Sequence, residues 1–310
     1  MRVAVIGAGG VGGYIAHRLA AHGVEVAVLA RGAHLDAIRE RGLTLVEADG
    51  TEETQRVAAA SDRGEDLGTA DLAVFAVKGQ DMAGAIEAAR PVLAEGGHAL
   101  SLLNGVDGPD MLAEAFGRER ALTGIARISA VIEAPGRIAK VTRWAGFIIG
   151  DRDGRQDRKP VPEIRRLWEE AGITVPGKAD VTVELWLKFV QLTALAAVTA
   201  GARCDIGTAR TEPDLRALIA DLIRESVAVA EARGIRLPAD TAETTLDSLD
   251  RLPGEMRASL AHDLAAGKPL ETDWLSGAVA RLGAASGVAT PAHRTVAALL
   301  APYRDGAQRD

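Results

Sequence analysis

The glycine pattern near the start of the chain constrains the fold more than any other feature. Gly7, Gly9 and Gly12 read G-x-G-x-x-G directly after an apolar run, Arg2–Ile6, and a helical pattern, Gly13–His22, follows. In such a strand–turn–helix unit the glycines permit a tight turn and a close backbone approach to a pyrophosphate, which the helix N-terminus favours. A glycine-rich turn without a ligand is the alternative. The sequence predicts a dinucleotide site at Gly7, Gly9, Gly10, Val11 and Gly12.

The first half of the chain alternates short apolar runs with helical patterns, which is typical of a parallel sheet with crossover helices. The runs are rich in Val, Ile, Leu and Ala, as expected for strands buried on both faces. They are Arg2–Ile6, Glu25–Ala30, Leu72–Val77, Ala99–Leu103 and Ala121–Ile128. Two later runs, Arg137–Thr142 and Gly146–Ile149, predict an antiparallel addition at the sheet edge. We therefore predict an α/β Rossmann domain with a mostly parallel, doubly wound sheet.

After about Lys178 the strand pattern disappears and helical patterns take over. Glycine and proline breaks separate the predicted helices. These helices are Val181–Ala200, Glu212–Arg233, Ala239–Leu249, Gly254–Ala266, Asp273–Ser286 and Pro291–Tyr303; one more, Glu163–Ala171, precedes them. The sequence predicts two domains, with residues 1–177 forming the dinucleotide-binding Rossmann domain and residues 178–310 forming an all-α domain that completes the substrate site.

Composition excludes several classes of protein. The net charge is −7, with both signs interspersed, so nucleic acid is not an expected partner. Cys204 is the only cysteine, and the histidines (His17, His22, His34, His98, His262 and His293) lack a metal-ligand spacing, so we expect no metal and assign them structural or surface roles. Charges interrupt the apolar stretches before the ~20 residues of a membrane span, and no signal-peptide pattern opens the chain. We expect a cytoplasmic protein; the sequence is compatible with a homodimer.

The end of the second strand indicates which dinucleotide binds. NAD-binding domains carry an acidic residue there, which holds the ribose 2′-OH. Here the run Val24–Ala30 ends in Arg31, whose guanidinium suits a 2′-phosphate through charge and bidentate hydrogen bonding. A solvated arginine at a strand end is the alternative. The sequence favours NADP(H) as the cofactor.

Two further predicted strands also end in polar residues. Lys78 follows the run Asp71–Val77, and Asn104 follows Ala99–Leu103. Ligands of open α/β sheets bind outside the carboxyl ends of the strands, so both residues point to the cofactor crevice. A solvated lysine and an Asn-Gly turn are the alternatives.

The whole chain resembles the ketopantoate reductases (2-dehydropantoate 2-reductases). The resemblance is carried by GAGGVGGYIA at the start, AVKGQD around Lys78, LNGVD around Asn104, ELWLKFV around Lys188 and SLAHDLAAGKPLETDWLSG around Glu271. It implies an NADPH-dependent reductase in which Lys188 is the general acid that protonates the ketone oxygen. It also implies that Glu271 holds that lysine or the substrate, that Ser259 binds the substrate carboxylate, and that Asn104 and Lys78 lie at cofactor and active-site positions.

The surroundings of Lys188 fit an acid. Hydride transfer to a ketone develops negative charge on oxygen, which a positioned cation stabilises. Trp186 and Phe189 flank Lys188 on an otherwise apolar helix, Leu185–Ala197, and such surroundings lower the pKa of an ammonium group. An ordinary Glu184–Lys188 pair on a helix face is the alternative. Glu271 and Ser259 have plain alternatives too, as a first-turn helix charge and a small packing residue.

Three positions depart from the family pattern. The family places asparagines four and eight residues after the lysine, where they hydrogen-bond the substrate, and a further one near Gly207. Here these positions hold Leu192, Ala196 and Ile206, and the nearest polar residues are Gln191 and Thr193. Reductase chemistry is therefore better supported than ketopantoate as the substrate, and a related 2-keto acid is an alternative.

Three functions remain open from the sequence. The first is NADPH-dependent reduction of a 2-keto acid, with ketopantoate as the first candidate. The second is a dehydrogenase of similar layout that acts on a 3-hydroxy acid or an amino-acid-derived substrate. The third is an NADP(H) sensor without catalysis, against which Lys188 and Glu271 argue.

Overall fold

The computed structural model describes residues Met1–Ala307, which form two compact units. The first unit contains Met1–Leu103 and Gly108–Thr182. The second contains Asn104–Asp107 and the residues from Val183 onward. A four-residue segment from the first half of the chain therefore groups with the helices of the second half.

All strands described lie in the first unit, where they form two sheets. They are β1 (Val3–Ile6), β2 (Val26–Leu29), β3 (Leu43–Val46), β4 (Glu52–Gln55), β5 (Ala59–Ser61), β6 (Ala70–Phe75), β7 (Leu93–Ser101), β8 (Ala121–Arg127), β9 (Ala130–Ala134), β10 (Arg137–Lys140) and β11 (Gly146–Gly150). The helices of this unit are α1 (Gly10–Ala21), α2 (Gly32–Arg41), α3 (Met82–Ala89), α4 (Gly108–Phe116) and α5 (Val161–Glu170), with short 3-10 helices at Gly64–Leu67 and Gly79–Asp81.

The larger sheet has the order β11-β8-β7-β6-β1-β2-β5. Its pairs are parallel except for β11, which runs antiparallel to β8. The strand order reverses between β1 and β6, as in a doubly wound dinucleotide-binding domain. The predicted fold class, a mostly parallel Rossmann sheet followed by a helical region, is confirmed.

Alternate residues of β1 face two different cores because side chains of a strand point to opposite faces. Val3 and Val5 pack in a core that includes Ile15 of α1, whereas Ile6 packs in another that includes Met82 of α3. Both faces of the sheet are therefore covered by helices. This burial explains why the strands are apolar without alternation.

The smaller sheet corrects one prediction. The runs Arg137–Thr142 and Gly146–Ile149 were both expected at the edge of the main sheet, but only β11 joins it. β10 instead pairs with β3 and β9 in a second sheet of order β4-β3-β10-β9. The physical reason is that β10 has one buried position, Ile138, and polar ends, since Arg137 binds Glu52 of β4 and Lys140 binds Glu47.

The second unit is helical in its described part. Its helices are α6 (Val181–Gly201), α7 (Ile206–Thr211), α8 (Pro213–Ala232), α9 (Thr241–Asp250), α10 (Ser259–Ala265), α11 (Ser276–Ser286) and α12 (Pro291–Leu300), with 3-10 helices at Thr272–Trp274 and Ala301–Tyr303. The predicted helix Gly254–Ala266 shortens to α10, and α7 was not predicted. The first residues of α7 pair with the loop between α9 and α10, where the Gly207 N–H donates to the Gly254 carbonyl oxygen.

Helix α6 is long and apolar enough to span a membrane by length and composition, which the sequence analysis did not anticipate. In its most apolar window 56% of the residues are buried inside the protein. Its buried side chains include Phe189, Val190, Ala194 and Val198. These features are those of the core helix of a helical domain.

Candidate active site

The turn from β1 to α1, which we call the glycine turn (Gly7–Gly12), leaves no room for a side chain at Gly7, Gly10 or Gly12. Gly7 has φ +97°, a value that L side chains rarely adopt. A Cβ on Gly12 would lie 2.0 Å from the Gly7 carbonyl oxygen, and one on Gly10 would lie 1.9 Å from the Ala130 carbonyl oxygen of β9. Gly9 borders open space, since a Cβ there would meet no atom within 4 Å. The turn thus leaves room beside the N-terminus of α1, where half-buried Val11 also lies, and fits a pyrophosphate.

Two predicted cofactor residues follow neighbouring strands of the same sheet. Arg31 lies two residues past β2, and Lys78 lies three residues past β6, because β6 ends at Phe75 rather than at the predicted Val77. β2, β1 and β6 are adjacent and parallel, so their carboxyl ends meet at one edge of the sheet. The glycine turn, Arg31 and Lys78 therefore gather at that edge.

The Arg31 side chain is 81% exposed and donates a hydrogen bond to Asp81 at 3.1 Å. Asp81 ends the 3-10 helix Gly79–Asp81, which begins directly after half-buried Lys78. An exposed ion pair of this kind contributes only about 0–1 kcal/mol. An incoming phosphate dianion can therefore compete with Asp81 for the guanidinium.

In the second unit the structure brings together two residues that are 84 positions apart in sequence. The Lys188 ammonium donates a hydrogen bond of 3.0 Å to the Asn104 Oδ1. Lys188 is half-buried on α6, and its neighbours Trp186 and Phe189 are buried in edge-to-face contact, with ring centroids 5.5 Å apart. The Asn104 amide oxygen thus accepts one N–H of the Lys188 ammonium group, whose flanking residues on α6 are apolar.

The segment Asn104–Asp107 is held at both ends. Gly105 has φ +99°, and a Cβ there would lie 2.7 Å from the Trp274 carbonyl oxygen. Trp274 N–H donates to the Glu271 carbonyl oxygen at 3.0 Å, so the turn that carries Glu271 packs against this segment. Asp107 accepts a 2.8 Å hydrogen bond from Arg281. These contacts place the Glu271 turn beside the residue that holds Lys188.

Glu271 and Ser259 have different environments. Glu271 is only 7% exposed and lies in the turn before the helix Thr272–Trp274, so it is not the first-turn surface charge considered above. Ser259 is exposed as the first residue of α10. Its neighbour Ala258 donates a backbone hydrogen bond of 3.3 Å to Thr199 of α6. The structure therefore anchors the start of α10 to the helix that carries Lys188.

The positions where the family pattern has asparagines carry no donors. Leu192 is half-buried and Ala196 is buried, one and two turns after Lys188 on the same face of α6. The nearby polar side chains are engaged elsewhere: Gln191 donates to Ser248 at 2.8 Å, and Thr193 lies 3.2 Å from Ser226. Ile206 is fully buried at the start of α7. In the two turns after Lys188, this face of α6 is therefore apolar.

One residue at the dinucleotide edge was given no specific function by sequence reasoning. His34 of α2 lies with Nε2 2.8 Å from the Ala8 carbonyl oxygen and accepts the Gly136 N–H on Nδ1 at 3.0 Å. Burial lowers the pKa of His34 below its ordinary value. The sequence signal was only a histidine three residues after Arg31, since Ala8 and Gly136 are distant in sequence.

Comparison with known proteins places this geometry in a family. The family model described as "Ketopantoate reductase PanE/ApbA" matches residues 3–154, and its "C terminal" counterpart matches residues 180–304. The 2-dehydropantoate 2-reductase of Halobacterium salinarum is 30% identical over 99% of this chain and 100% of its own length. That of Mesorhizobium japonicum is 28% identical over 97% of both chains.

A solved structure agrees in fold over nearly the whole length. The crystal structure of a PanE/ApbA family ketopantoate reductase from Ralstonia eutropha superposes with a TM-score of 0.89 at 31% identity, covering 98% of both chains. Sequence and fold thus match in both halves of the molecule. The chain belongs to the ketopantoate reductase family and is an oxidoreductase that acts on a CH–OH group.

Proposed function

We propose that this protein catalyses the NADPH-dependent reduction of a 2-keto acid to a 2-hydroxy acid in the cytoplasm. The first candidate is the conversion of 2-dehydropantoate to pantoate, a step of pantothenate biosynthesis. The observation that carries the proposal is the Lys188–Asn104 hydrogen bond, because it holds a proton donor in a fixed place on an apolar helix. The names of the relatives support the same reaction.

In this proposal the residues of the chain have separate roles. N–H groups of the glycine turn hold the pyrophosphate, and Arg31 and Lys78 hold the phosphate-bearing parts of the cofactor. Bound NADPH supplies the hydride that reaches the ketone carbon. Lys188 delivers the proton to the ketone oxygen and stabilises the negative charge that develops there, while Asn104 orients its ammonium. Glu271 and Ser259 bind the substrate.

The preference for NADPH over NADH rests on Arg31. Its guanidinium is exposed at the edge where the adenosine ribose of a dinucleotide lies in Rossmann domains. Asp81 shares that guanidinium, and its carboxylate repels a 2′-phosphate. We therefore expect a real but moderate preference for NADPH.

The proposal is tested by following NADPH oxidation with a panel of 2-keto acids that includes 2-dehydropantoate. Lys188→Ala is expected to lower kcat by about 10²- to 10⁴-fold, the usual contribution of a positioned general acid. NADPH affinity should persist in this variant, because Lys188 belongs to the second unit and the glycine turn to the first. Lys159→Ala is the matched control, since the Lys159 side chain is 89% exposed on the first unit.

Two results would contradict the proposal. The first is full activity of Lys188→Ala on the best substrate. The second is wild-type protein that binds NADPH tightly but reduces no keto acid, which is the behaviour of a cofactor sensor. Oxidation of a 3-hydroxy acid in the reverse direction, without any 2-hydroxy acid activity, would instead identify the related dehydrogenase.

A second candidate substrate is a 2-keto acid whose side chain carries no hydroxyl group. The apolar face at Leu192 and Ala196 favours it, because a hydroxyl buried there without a partner costs about 1–3 kcal/mol. Gln191 and Thr193 are already engaged with Ser248 and Ser226. If this second candidate is the substrate, such a keto acid will have a higher kcat/KM than 2-dehydropantoate.

Restoring an amide tests this second candidate. Leu192→Asn is expected to raise kcat/KM for 2-dehydropantoate relative to 2-keto-3-methylbutanoate by about tenfold, the value of one hydrogen bond in discrimination. Leu192→Met, which keeps the side chain apolar and of similar volume, is the matched control. An unchanged ratio in Leu192→Asn would show that this face of α6 does not contact the substrate side chain.

A further inference from the structure

We propose that His34 is a positioning residue for the dinucleotide site: its Nε2–H holds the Ala8 carbonyl and thereby aims the Gly9 N–H at the pyrophosphate. The proposal rests on the proposed function in that it needs a bound dinucleotide, but it does not depend on the keto acid or on turnover. His34 lies in the first turn of α2, directly after the strand end that carries Arg31.

The hydrogen bonds of His34 determine its tautomer. Gly136 N–H donates to Nδ1 at 3.0 Å, and a ring nitrogen that accepts a hydrogen bond carries no proton. In the neutral ring the proton therefore lies on Nε2, which is 2.8 Å from the Ala8 carbonyl oxygen and donates to it. Burial of the ring lowers its pKa and so favours the neutral form that this arrangement needs.

The bond to Ala8 fixes the direction of the next N–H. Among the described residues the cis peptide bond is Lys159–Pro160, so the Ala8–Gly9 peptide is trans. In a planar trans peptide the carbonyl and the N–H point in opposite directions. With its carbonyl drawn toward His34, this peptide directs the Gly9 N–H away from the ring. A glycine turn needs such a restraint because glycine has more backbone freedom than any other residue type.

The Nδ1 side of the imidazole contacts a turn of the smaller sheet. Gly136 lies in the turn between β9 and β10, with φ +78°, and its carbonyl accepts the Thr44 N–H of β3 at 2.8 Å. A Cβ on Gly136 would lie 3.0 Å from the Ala37 Cβ of α2, so this turn packs closely on the helix that carries His34. The smaller sheet also approaches the glycine turn directly, through the Ala130 carbonyl at Gly10. His34 thus connects the smaller sheet to the Ala8 carbonyl through its two hydrogen bonds.

The two hydrogen bonds of His34 can be removed separately. In His34→Gln the amide nitrogen reaches the place of Nε2 and can donate to Ala8. In His34→Asn the shorter side chain leaves an oxygen near the place of Nδ1, which keeps only the bond to Gly136. The probe is ADP-ribose, which has the pyrophosphate but neither the nicotinamide nor the 2′-phosphate, and its Kd is measured by calorimetry.

His34→Asn is expected to raise the Kd of ADP-ribose about tenfold, since one hydrogen bond to a charged group is misdirected. His34→Gln should stay within about threefold of wild type. The KM for NADPH should rise in His34→Asn by the same factor as the Kd, while the KM for the keto acid does not change. His22→Asn, at the exposed end of α1, is the matched control and should bind like wild type.

A second ligand separates positioning from general damage. Adenosine 2′-monophosphate has no 5′-phosphate and so cannot contact the Gly9 N–H, and its Kd should therefore be the same in wild type and in both His34 variants. Equal weakening of this ligand and ADP-ribose would overturn the proposal, as would equal losses in His34→Asn and His34→Gln, or unchanged ADP-ribose binding in His34→Asn.

A measurement on the unmodified protein is independent of how the variants fold. Nitrogen NMR of histidine-labelled wild-type protein should show His34 protonated on Nε2, and the Nδ1–H tautomer would refute the proposal. Wild-type protein that binds ADP-ribose but reduces no keto acid would refute the proposed function and leave the role of His34 standing. Wild-type protein that does not bind ADP-ribose would refute both.

Discussion

The glycine turn of the first unit and helix α6 of the second are built in different ways. In the turn, the absence of side chains at Gly7, Gly9 and Gly12 is the essential property. On α6 the polar group is the side chain of Lys188, which donates a hydrogen bond to Asn104 of a distant segment. Added side-chain atoms in the turn should therefore reduce either stability or dinucleotide binding, whereas the helical unit should be sensitive to changes in protonation and hydrogen bonding.

The largest effects should come from adding a methyl group to the turn. Gly12→Ala is expected to lower the free energy of unfolding by about 3 kcal/mol, because its Cβ would lie 2.0 Å from the Gly7 carbonyl oxygen. Gly9→Ala should leave that free energy within about 0.5 kcal/mol of wild type but weaken NADPH binding about 100-fold, since its methyl enters the space of the pyrophosphate. Urea denaturation and calorimetry measure the two effects. Similar decreases in the free energy of unfolding for Gly12→Ala and Gly9→Ala would contradict this prediction.

The helical unit should respond instead to a proton on His293. Burial lowers the pKa of His293 to about 4 from its ordinary 6.5, and its ring nitrogens contact Ser226 at 2.9 Å and Ser276 at 3.2 Å. The unfolded chain takes up this proton as pH falls through 6.5, whereas the native state does so only near 4. Stability is therefore lost on acidification, by about 2 kcal/mol between pH 7 and pH 5.

The test for His293 is urea denaturation at several pH values, with His293→Gln as the variant that does not titrate. Other histidines with lowered pKa values, His17 among them, add to the acid sensitivity of both proteins, so the comparison uses the difference between the two. That difference should narrow by about 2 kcal/mol from pH 7 to pH 5. A difference in the free energy of unfolding that stays constant from pH 7 to pH 5 would show that His293 is not the source of this pH dependence.

The smallest effect is expected at the exposed edge of the dinucleotide site. Arg31→Ala should lower the preference for NADPH over NADH about tenfold, because a charged contact with the 2′-phosphate is lost. Asp81→Asn should raise that preference about twofold, since it removes a competitor for Arg31. Ratios of kcat/KM for the two cofactors measure both changes, with Arg166→Ala as an exposed control on α5. A preference that survives in Arg31→Ala would show that another residue binds the 2′-phosphate.

The sequence predicted the parts of the fold that follow from local chemistry. β1, the glycine turn and α1 were predicted together because apolar run, glycines and helical pattern are contiguous. β4 was missed because Glu52–Gln55 is polar and mostly exposed, so it lacks the apolar signal of a strand. β9 was missed for a different reason: it is mostly apolar but short, and its middle at Val131–Glu133 is exposed, so it has no alternation of buried and exposed positions. Their stability depends on partners elsewhere in the chain rather than on their own residues.

The site was predicted only as far as motifs reach. Lys188 and Glu271 were named by resemblance and Asn104 by its place at the end of a predicted strand, and their roles stay predictions until the variants are measured. The Lys188–Asn104 bond and the engagement of Gln191 by Ser248 depend on the packing of residues far apart in sequence. His34 carries no motif at all, because both groups that it contacts belong to the backbone, which every residue type possesses.

The short segment Asn104–Asp107 also limits how the protein can be recombined with its relatives. A chimaera joined at the Thr182–Val183 border would import a lysine-bearing helix while retaining the host's amide loop. The lysine would then face an amide from the other parent, although every helix of the graft came from one parent. Exchange of substrate specificity between such enzymes should therefore succeed only when Asn104–Asp107 is transferred together with the helices.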